Sequence, residues 1–156
     1  MKRAGFFIVA RTCFVLYRWF PLFGSLRASI AIIDRDGKIL IIQRSDGRGL
    51  SLPGGIARRK EPEEMTLRRE VREETGLEVT EAEFRLRYHS TADVPAYISV
   101  FVVKACGEVK DSWEGSPRWM TPKEIEPRLM ESQRPVLELL KKIAENDADQ
   151  VGNGPA

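Results

Sequence analysis

The order of apolar patterns along the chain predicts an α/β fold. Three observations carry it: two strand-like apolar runs beginning at residue 29, a charge-rich helical pattern over 61–75, and further strand runs closed by an amphipathic helix over 133–145. At 156 residues the chain suits one domain that buries its own core without staples. Its 42% apolar and 31% charged residues exclude a disordered or collagenous chain.

Residues 1–26 differ from the rest. Seven of the thirteen aromatics lie here: Phe6, Phe7, Phe14, Tyr17, Trp19, Phe20 and Phe23. Arg11 and Arg18 interrupt the apolar run, which is too broken for the roughly 20 apolar residues of a membrane-spanning helix. The apolar stretch after Met-Lys-Arg is also short for a signal peptide. The segment reads as an amphipathic helical extension ended near Pro21 and Gly24. Packing on the domain or on a second copy, as in a homodimer, is the plainer reading; a peripheral membrane contact is the alternative.

From Ser29 the pattern is β. The runs at 29–34 and 38–43 flank Arg35-Asp36-Gly37, and Asp-Gly between apolar runs predicts a hairpin. A second turn, Ser45-Asp46-Gly47-Arg48-Gly49, leads into Leu50-Ser51-Leu52-Pro53-Gly54-Gly55. Residues 61–75 read as a helix with Pro62 in its first turn, acids near its positive end and Gly76 as its stop. Strands follow at 79–88, 97–105 and 118–120, then a short helix at 122–129 and the closing helix at 133–145. The domain is therefore expected over 27–145, with 146–156, rich in Asp, Asn and Gly, as a flexible tail.

Charge narrows the chemistry. Residues 1–60 hold 12 Lys/Arg against 3 Asp/Glu, a balance of +9, whereas residues 61–156 hold 13 against 20, a balance of −7. A basic half suits phosphates or an anionic surface, and an acidic half suits cations. Cys13 and Cys106 have no zinc spacing, and His89 is the only histidine. Catalysis on this chain would rest on carboxylates and a hard cation.

Glu70, Glu73 and Glu74 supply the carboxylates. At i, i+3 and i+4 they share a helix face, where like charges repel unless a cation such as Mg²⁺ gathers them. Such triplets are usually solvated surface, so the flanking residues decide. Gly55, Glu61, Arg69, Glu70, Val71, Glu73, Glu74, Gly76 and Leu77 follow one spacing: Gly, five residues, Glu, seven residues, Arg-Glu, an aliphatic, any residue, Glu-Glu, any residue, Gly, an aliphatic. That is the Nudix box, and the chain resembles the Nudix hydrolases over about residues 27–145.

The resemblance implies an α/β/α sandwich with a mixed β-sheet and Mg²⁺-dependent hydrolysis of a diphosphate linkage in a nucleotide, with Mn²⁺ as a substitute ion. It implies that the Gly55 carbonyl and the carboxylates of Glu70, Glu73 and Glu74 hold the metal, and that Glu61 and Arg69 pair to lock the loop onto the helix. Glu73, Glu74 or Glu114 would be the general base. Arg44, at the end of the second strand, and Arg58 are candidate phosphate contacts. Where many members carry Glu and Gly, this chain has Arg58 and Lys60, which makes 58–60 a basic loop.

Substrate is less legible. Pro95 and Tyr97 do not sit at the offsets associated with ADP-ribose or dinucleoside polyphosphate hydrolases, and no coenzyme A or NADH signature is present. Tyr88, Tyr97, Trp113 and Trp119 are candidates for stacking on a base, though core or surface is the commoner fate of such residues. A small nucleotide is the expected substrate and no specific nucleic-acid binding is expected. The expected location is cytoplasmic, membrane-peripheral if residues 1–26 contact lipid. A non-catalytic nucleotide-binding module and a peripheral hydrolase of lipid- or sugar-linked diphosphates are the competing readings.

Overall fold

Strands that are apolar on both faces organise the molecule. The computed structural model describes residues 26–152. The aromatic extension read from the sequence, Leu26 apart, lies outside the described residues. In strand β1 (Leu26–Ile32) the side chains alternate between two cores. Ile30 and Ile32 join Ile39, Ile41, Ile98 and Val100 under the C-terminal helical region, through Val136 and Leu140. Ala31 and the following Ile33 join Leu40, Phe101 and Val103 under Leu67 and Val71 of the first helix. A sheet covered by helices on both sides requires such unbroken apolar runs. The result is the α/β/α layering.

Two four-stranded sheets share this middle layer. The first runs β5 (Gly54–Ile56), β1, β7 (Ala96–Cys106), β6 (Glu78–Ser90). It is mixed: β1 and β7 are parallel, and the other pairs are antiparallel. In the second, β3 (Lys38–Arg44) pairs antiparallel with β8 (Gly115–Met120), with β2 (Asp34–Arg35) and with β4 (Leu50–Ser51).

The hairpin expected between 29–34 and 38–43 is corrected. Asp36 and Gly37 do make the turn, with φ of 52° and 70°, but only β2 pairs across it with β3. The chain leaves the first sheet at Ile33 and enters the second, so β1 pairs with β5 and β7 instead. Local turn chemistry sets the turn; burial of two apolar faces decides the longer partners.

Helix α1 (Glu63–Thr75) begins two residues later than the sequence pattern suggested, with Pro62 as its N-cap, so Glu61 stands in the loop before it. Gly76, left-handed at φ 75°, ends it and donates its amide to Arg72 O. The pattern at 122–129 divides into α2 (Pro122–Ile125) and a 3₁₀ turn (Glu126–Arg128). A further 3₁₀ segment (Glu131–Val136) precedes α3 (Leu137–Gly152), which extends beyond residue 145. Pro127 and Pro135 lack the amides that a continuous α-helix needs there. Among the described residues no helix is long and apolar enough to cross a membrane.

Candidate active site

The site forms where α1 crosses the Gly54–Gly55 end of β5. Leu67 and Val71 anchor the helix in the core, and Glu74, three residues after Val71, falls on the same stripe. It is consequently 95% buried. Its Oε2 accepts a 2.8 Å hydrogen bond from the Gly54 amide. Gly54 has φ 149°, and a Cβ there would fall on the Ser29 carbonyl. Gly55 sits directly against Glu70: a Cβ on it would lie 2.6 Å from the Glu70 carboxyl carbon. Two glycines thus let the strand touch the acidic face of the helix.

Arg69 and Glu61, which the resemblance pairs, are in contact. Arg69 Nε and Nη2 each donate to Glu61 at 2.9 Å, and Nη2 also reaches the Ile56 carbonyl at 3.3 Å. Glu61 Oε2 accepts from the Arg58 amide at 2.8 Å and from Thr66 Oγ1 at 3.0 Å. The Arg69 guanidinium, with these amide and hydroxyl donors, holds the Glu61 carboxyl down at about 2. Arg69 Nη1 donates to Glu70 at 2.6 Å and lies 3.5 Å from Glu73. Among the described residues no group of three His, Cys, Asp or Glu side chains is arranged to hold a metal ion as it stands, and Glu70 and Glu73 both lean on this arginine.

Glu114 arrives from the loop before β8. The Ser45 amide and hydroxyl both donate to the Glu114 carbonyl at 3.0 Å, which fixes that loop to the end of β3. The Glu114 carboxyl stands close enough to Glu74 for its charge to act on it. Burial, offset in part by the Gly54 amide and reinforced by the charges of Glu114 and Glu70, raises the Glu74 carboxyl well above the carboxylate range. Burial also raises Glu70, against the pull of Arg69.

Arg44 stands near Glu74 and Glu114, whose charges help to raise it, but its largest partner is Asp46. Arg44 Nε and Nη2 make a two-point contact with the Asp46 carboxylate at 3.0 and 2.6 Å, and Arg48 Nε adds a third donor at 2.8 Å. Arg58 reaches Glu73, with 3.6 Å between Nη2 and Oε1. The candidate site residues named from the sequence therefore lie on α1, β5, the end of β3 and two loops, the one between β5 and α1 and the one before β8.

The sequence reading missed Asp46, Ser45 and the Gly54 amide. Asp46, two residues after a strand-end arginine in a Gly-rich turn, was the readable signal; a main-chain amide leaves none. The aromatics divide. Tyr88 is part-buried and donates to the Ser132 carbonyl at 2.8 Å, the Arg35 guanidinium lies 4.6 Å over the Trp119 ring, and His89 packs on Tyr97 with ring centroids 4.9 Å apart. Trp113 is 69% exposed.

Comparison with known proteins decides the family, since residues 25–140 match the NUDIX domain. The chain belongs to the Nudix family. It is 33% identical over 113 residues to a MutT-like protein of Streptomyces ambofaciens, covering 71% of this chain and 73% of that one. It is 48% identical over 58 residues to the CTP pyrophosphohydrolase of Escherichia coli K12, covering 35% of this chain and 43% of that enzyme. Among solved structures, the E. coli ORF135 protein superposes with a TM-score of 0.66 at 28% identity, covering 83% of this chain and 96% of that one. A MutT Nudix hydrolase from Burkholderia pseudomallei shares the fold, with a TM-score of 0.65 at 24% identity over 73% of this chain and 96% of that one. This Nudix protein is a hydrolase acting on diphosphate bonds, in a family that acts on small nucleotides and generally uses divalent metal ions.

The residues present fit a hard divalent cation. Their donors are all oxygen, Gly55 lets the strand backbone lie directly against the Glu70 carboxyl, and the neighbouring Glu70, Glu74 and Glu114 carboxyls have as nearby positive charges Arg69 and the Asp46-bound Arg44.

Proposed function

We propose that this Nudix hydrolase cleaves a nucleoside triphosphate, or a closely related nucleotide, between two phosphorus atoms, with Mg²⁺ as its ion and Mn²⁺ as a substitute. The observation that carries this reading is the gathering of Glu70, Glu74 and Glu114 around Gly54–Gly55, with Arg44 and Arg58 at its borders. Glu70, Glu73, Glu74 and the Gly55 carbonyl would hold the metal. A divalent cation supplies charge neutralisation at the phosphate oxygens and acidifies water. The 48% identity over 58 residues to a CTP pyrophosphohydrolase supports a pyrimidine triphosphate as the first substrate to try.

The chain's own groups have separable tasks. Arg44, oriented by Asp46, presents a guanidinium to a phosphate, and Arg58 does so from the opposite loop. Glu73, Glu74 or Glu114 would accept the proton of the attacking water, with the buried Glu74 and the Glu114 charge close to each other. Water adds to one phosphorus, the bridging P–O bond breaks, and a triphosphate yields a nucleoside monophosphate and pyrophosphate. Glu61 and Arg69 do not touch the reaction; they hold the loop.

The test is a panel of nucleoside triphosphates including CTP, ADP-ribose, sugar nucleotides and dinucleoside polyphosphates, each with Mg²⁺ and with Mn²⁺. Glu73→Gln and Glu74→Gln should abolish turnover while the proteins stay folded. Near wild-type turnover by both variants would overturn the assignment.

A further inference from the structure

The basic loop at 58–60 holds its shape against local preference. Lys60 has φ 63°, a left-handed conformation unusual for lysine, and the turn is closed by the Glu61 amide donating to the Arg58 carbonyl at 3.0 Å. The Arg58 amide in turn donates to Glu61 Oε2. This fixed turn sends the Arg58 side chain back over α1, to 3.6 Å from Glu73 Oε1, while Arg69 Nη1 lies 3.5 Å from Glu73 Oε2. Glu73 is straddled by two guanidiniums of unequal standing. The Arg69 side chain is 12% exposed and tied to Glu61 and Glu70 as well. Arg58 is 68% exposed, and among the described residues Glu73 is its side chain's only ion-pair partner.

We infer that Arg58 is an internal counter-cation for Glu73, displaced when a divalent ion takes that carboxylate and then free to receive a phosphate of the substrate. The inference rests on the proposed metal face. Its physical basis is competition: a carboxylate neutralised by a guanidinium binds a second cation less well, and an exposed ion pair is weak enough to yield. The displaced guanidinium stays tethered beside the site, where the incoming anion replaces the charge it lost. Arg58 therefore weakens metal binding before substrate arrives and strengthens substrate binding afterwards.

The experiment titrates Mn²⁺ into nucleotide-free protein, followed by electron paramagnetic resonance, and separately measures CTP hydrolysis at saturating Mg²⁺. Arg58→Ala should tighten Mn²⁺ binding about two- to fivefold, the range an exposed ion pair allows, and should raise KM more than it lowers kcat. Arg58→Lys should fall between the two proteins in both readouts. Arg59→Ala, which removes a neighbouring charge of the same sign, should change Mn²⁺ affinity less. In a Glu73→Gln background Arg58→Ala should no longer alter Mn²⁺ affinity. Unchanged or weaker Mn²⁺ binding by Arg58→Ala, an equal effect of Arg59→Ala, or an unchanged KM would each overturn the inference. If Glu73→Gln weakens Mn²⁺ binding while Arg58→Ala does nothing, only the role of Arg58 fails. If Glu73→Gln itself leaves Mn²⁺ binding unchanged, the metal face fails with it.

Discussion

Gly55 is the residue at which space, not conformation, constrains the site. Its backbone is ordinary, yet a methyl group on it would stand 2.6 Å from the Glu70 carboxyl carbon. Gly55→Ala should displace that carboxylate and lower kcat/KM at least about tenfold, a loss of roughly 1.4 kcal/mol in transition-state stabilisation. The fold should survive, because Glu70 lies at the rim of the core; steady-state kinetics beside a thermal melt would show it. A melt collapsing together with the activity would instead assign Gly55 to the fold. Side-chain partners at this scale were legible where chemistry and spacing both spoke. Glu61 with Arg69 follows that pattern, whereas the sequence offers Glu114 only as an alternative base and not as a neighbour of Glu74. The Gly54 amide that holds Glu74 was not legible, since every residue but proline carries one.

At the scale of elements, the site depends on segments distant in sequence being fastened to one another. Leu52 donates its amide to Gln133 Oε1 at 2.7 Å, 81 residues away and buried, so the 3₁₀ segment before α3 steadies the strand that leads into Gly54. Gln133→Met keeps the volume and removes the acceptor. Leaving that buried amide unpaired should cost about 1–3 kcal/mol, to be read from urea unfolding. A second prediction concerns the turn before α1. Lys60 at φ 63° carries a left-handed cost of about 1–2 kcal/mol, of which glycine's greater unfolded-state freedom takes back roughly 0.5–1. Lys60→Gly should therefore raise stability by about 0.5–1 kcal/mol in the same assay. Helix α1 was readable almost to its ends because a proline, an apolar stripe and a glycine agree on it. The departure of β1 from its hairpin partner was not. A run apolar at every position states that both faces are buried but does not name the strands on either side.

For the molecule as a whole, the buried acid makes stability and metal binding respond together to pH. Glu74 has a raised folded-state pKa, so its contribution is complete below the ordinary carboxylate range near 4.5 and is lost as pH rises towards the raised value, about 8. Metal-free protein should accordingly melt several degrees lower at pH 9 than at pH 5.5. Glu74→Gln should flatten that slope, and Mg²⁺ should restore the alkaline Tm of the natural sequence without helping the variant. Calorimetric scans with chelator or with Mg²⁺ would measure all three. A slope unchanged by the substitution would remove Glu74 as its source. The opposed charges of the two sequence halves acquire a place on this scale. Acids from α1 and the loop before β8 meet arginines from β3 and from the loop after β5, so the fold interleaves what the chain keeps apart.

The stretch from Ile30 to Ile33 feeds alternate side chains into two separate cores before the chain changes sheets. Loss or gain of one residue there would transpose Ile30 and Ile32 with Ala31 and Ile33 and disturb both cores at once. It would also shift the Ser29–Gly55 register that sets β5 against α1. In this segment side chains can be exchanged for others of similar volume, whereas a change of length is better absorbed in connections such as 45–49 and 107–114. Those are the loops that carry Asp46 and Glu114, so a change of length that the scaffold absorbs best falls on the segments that border the proposed site.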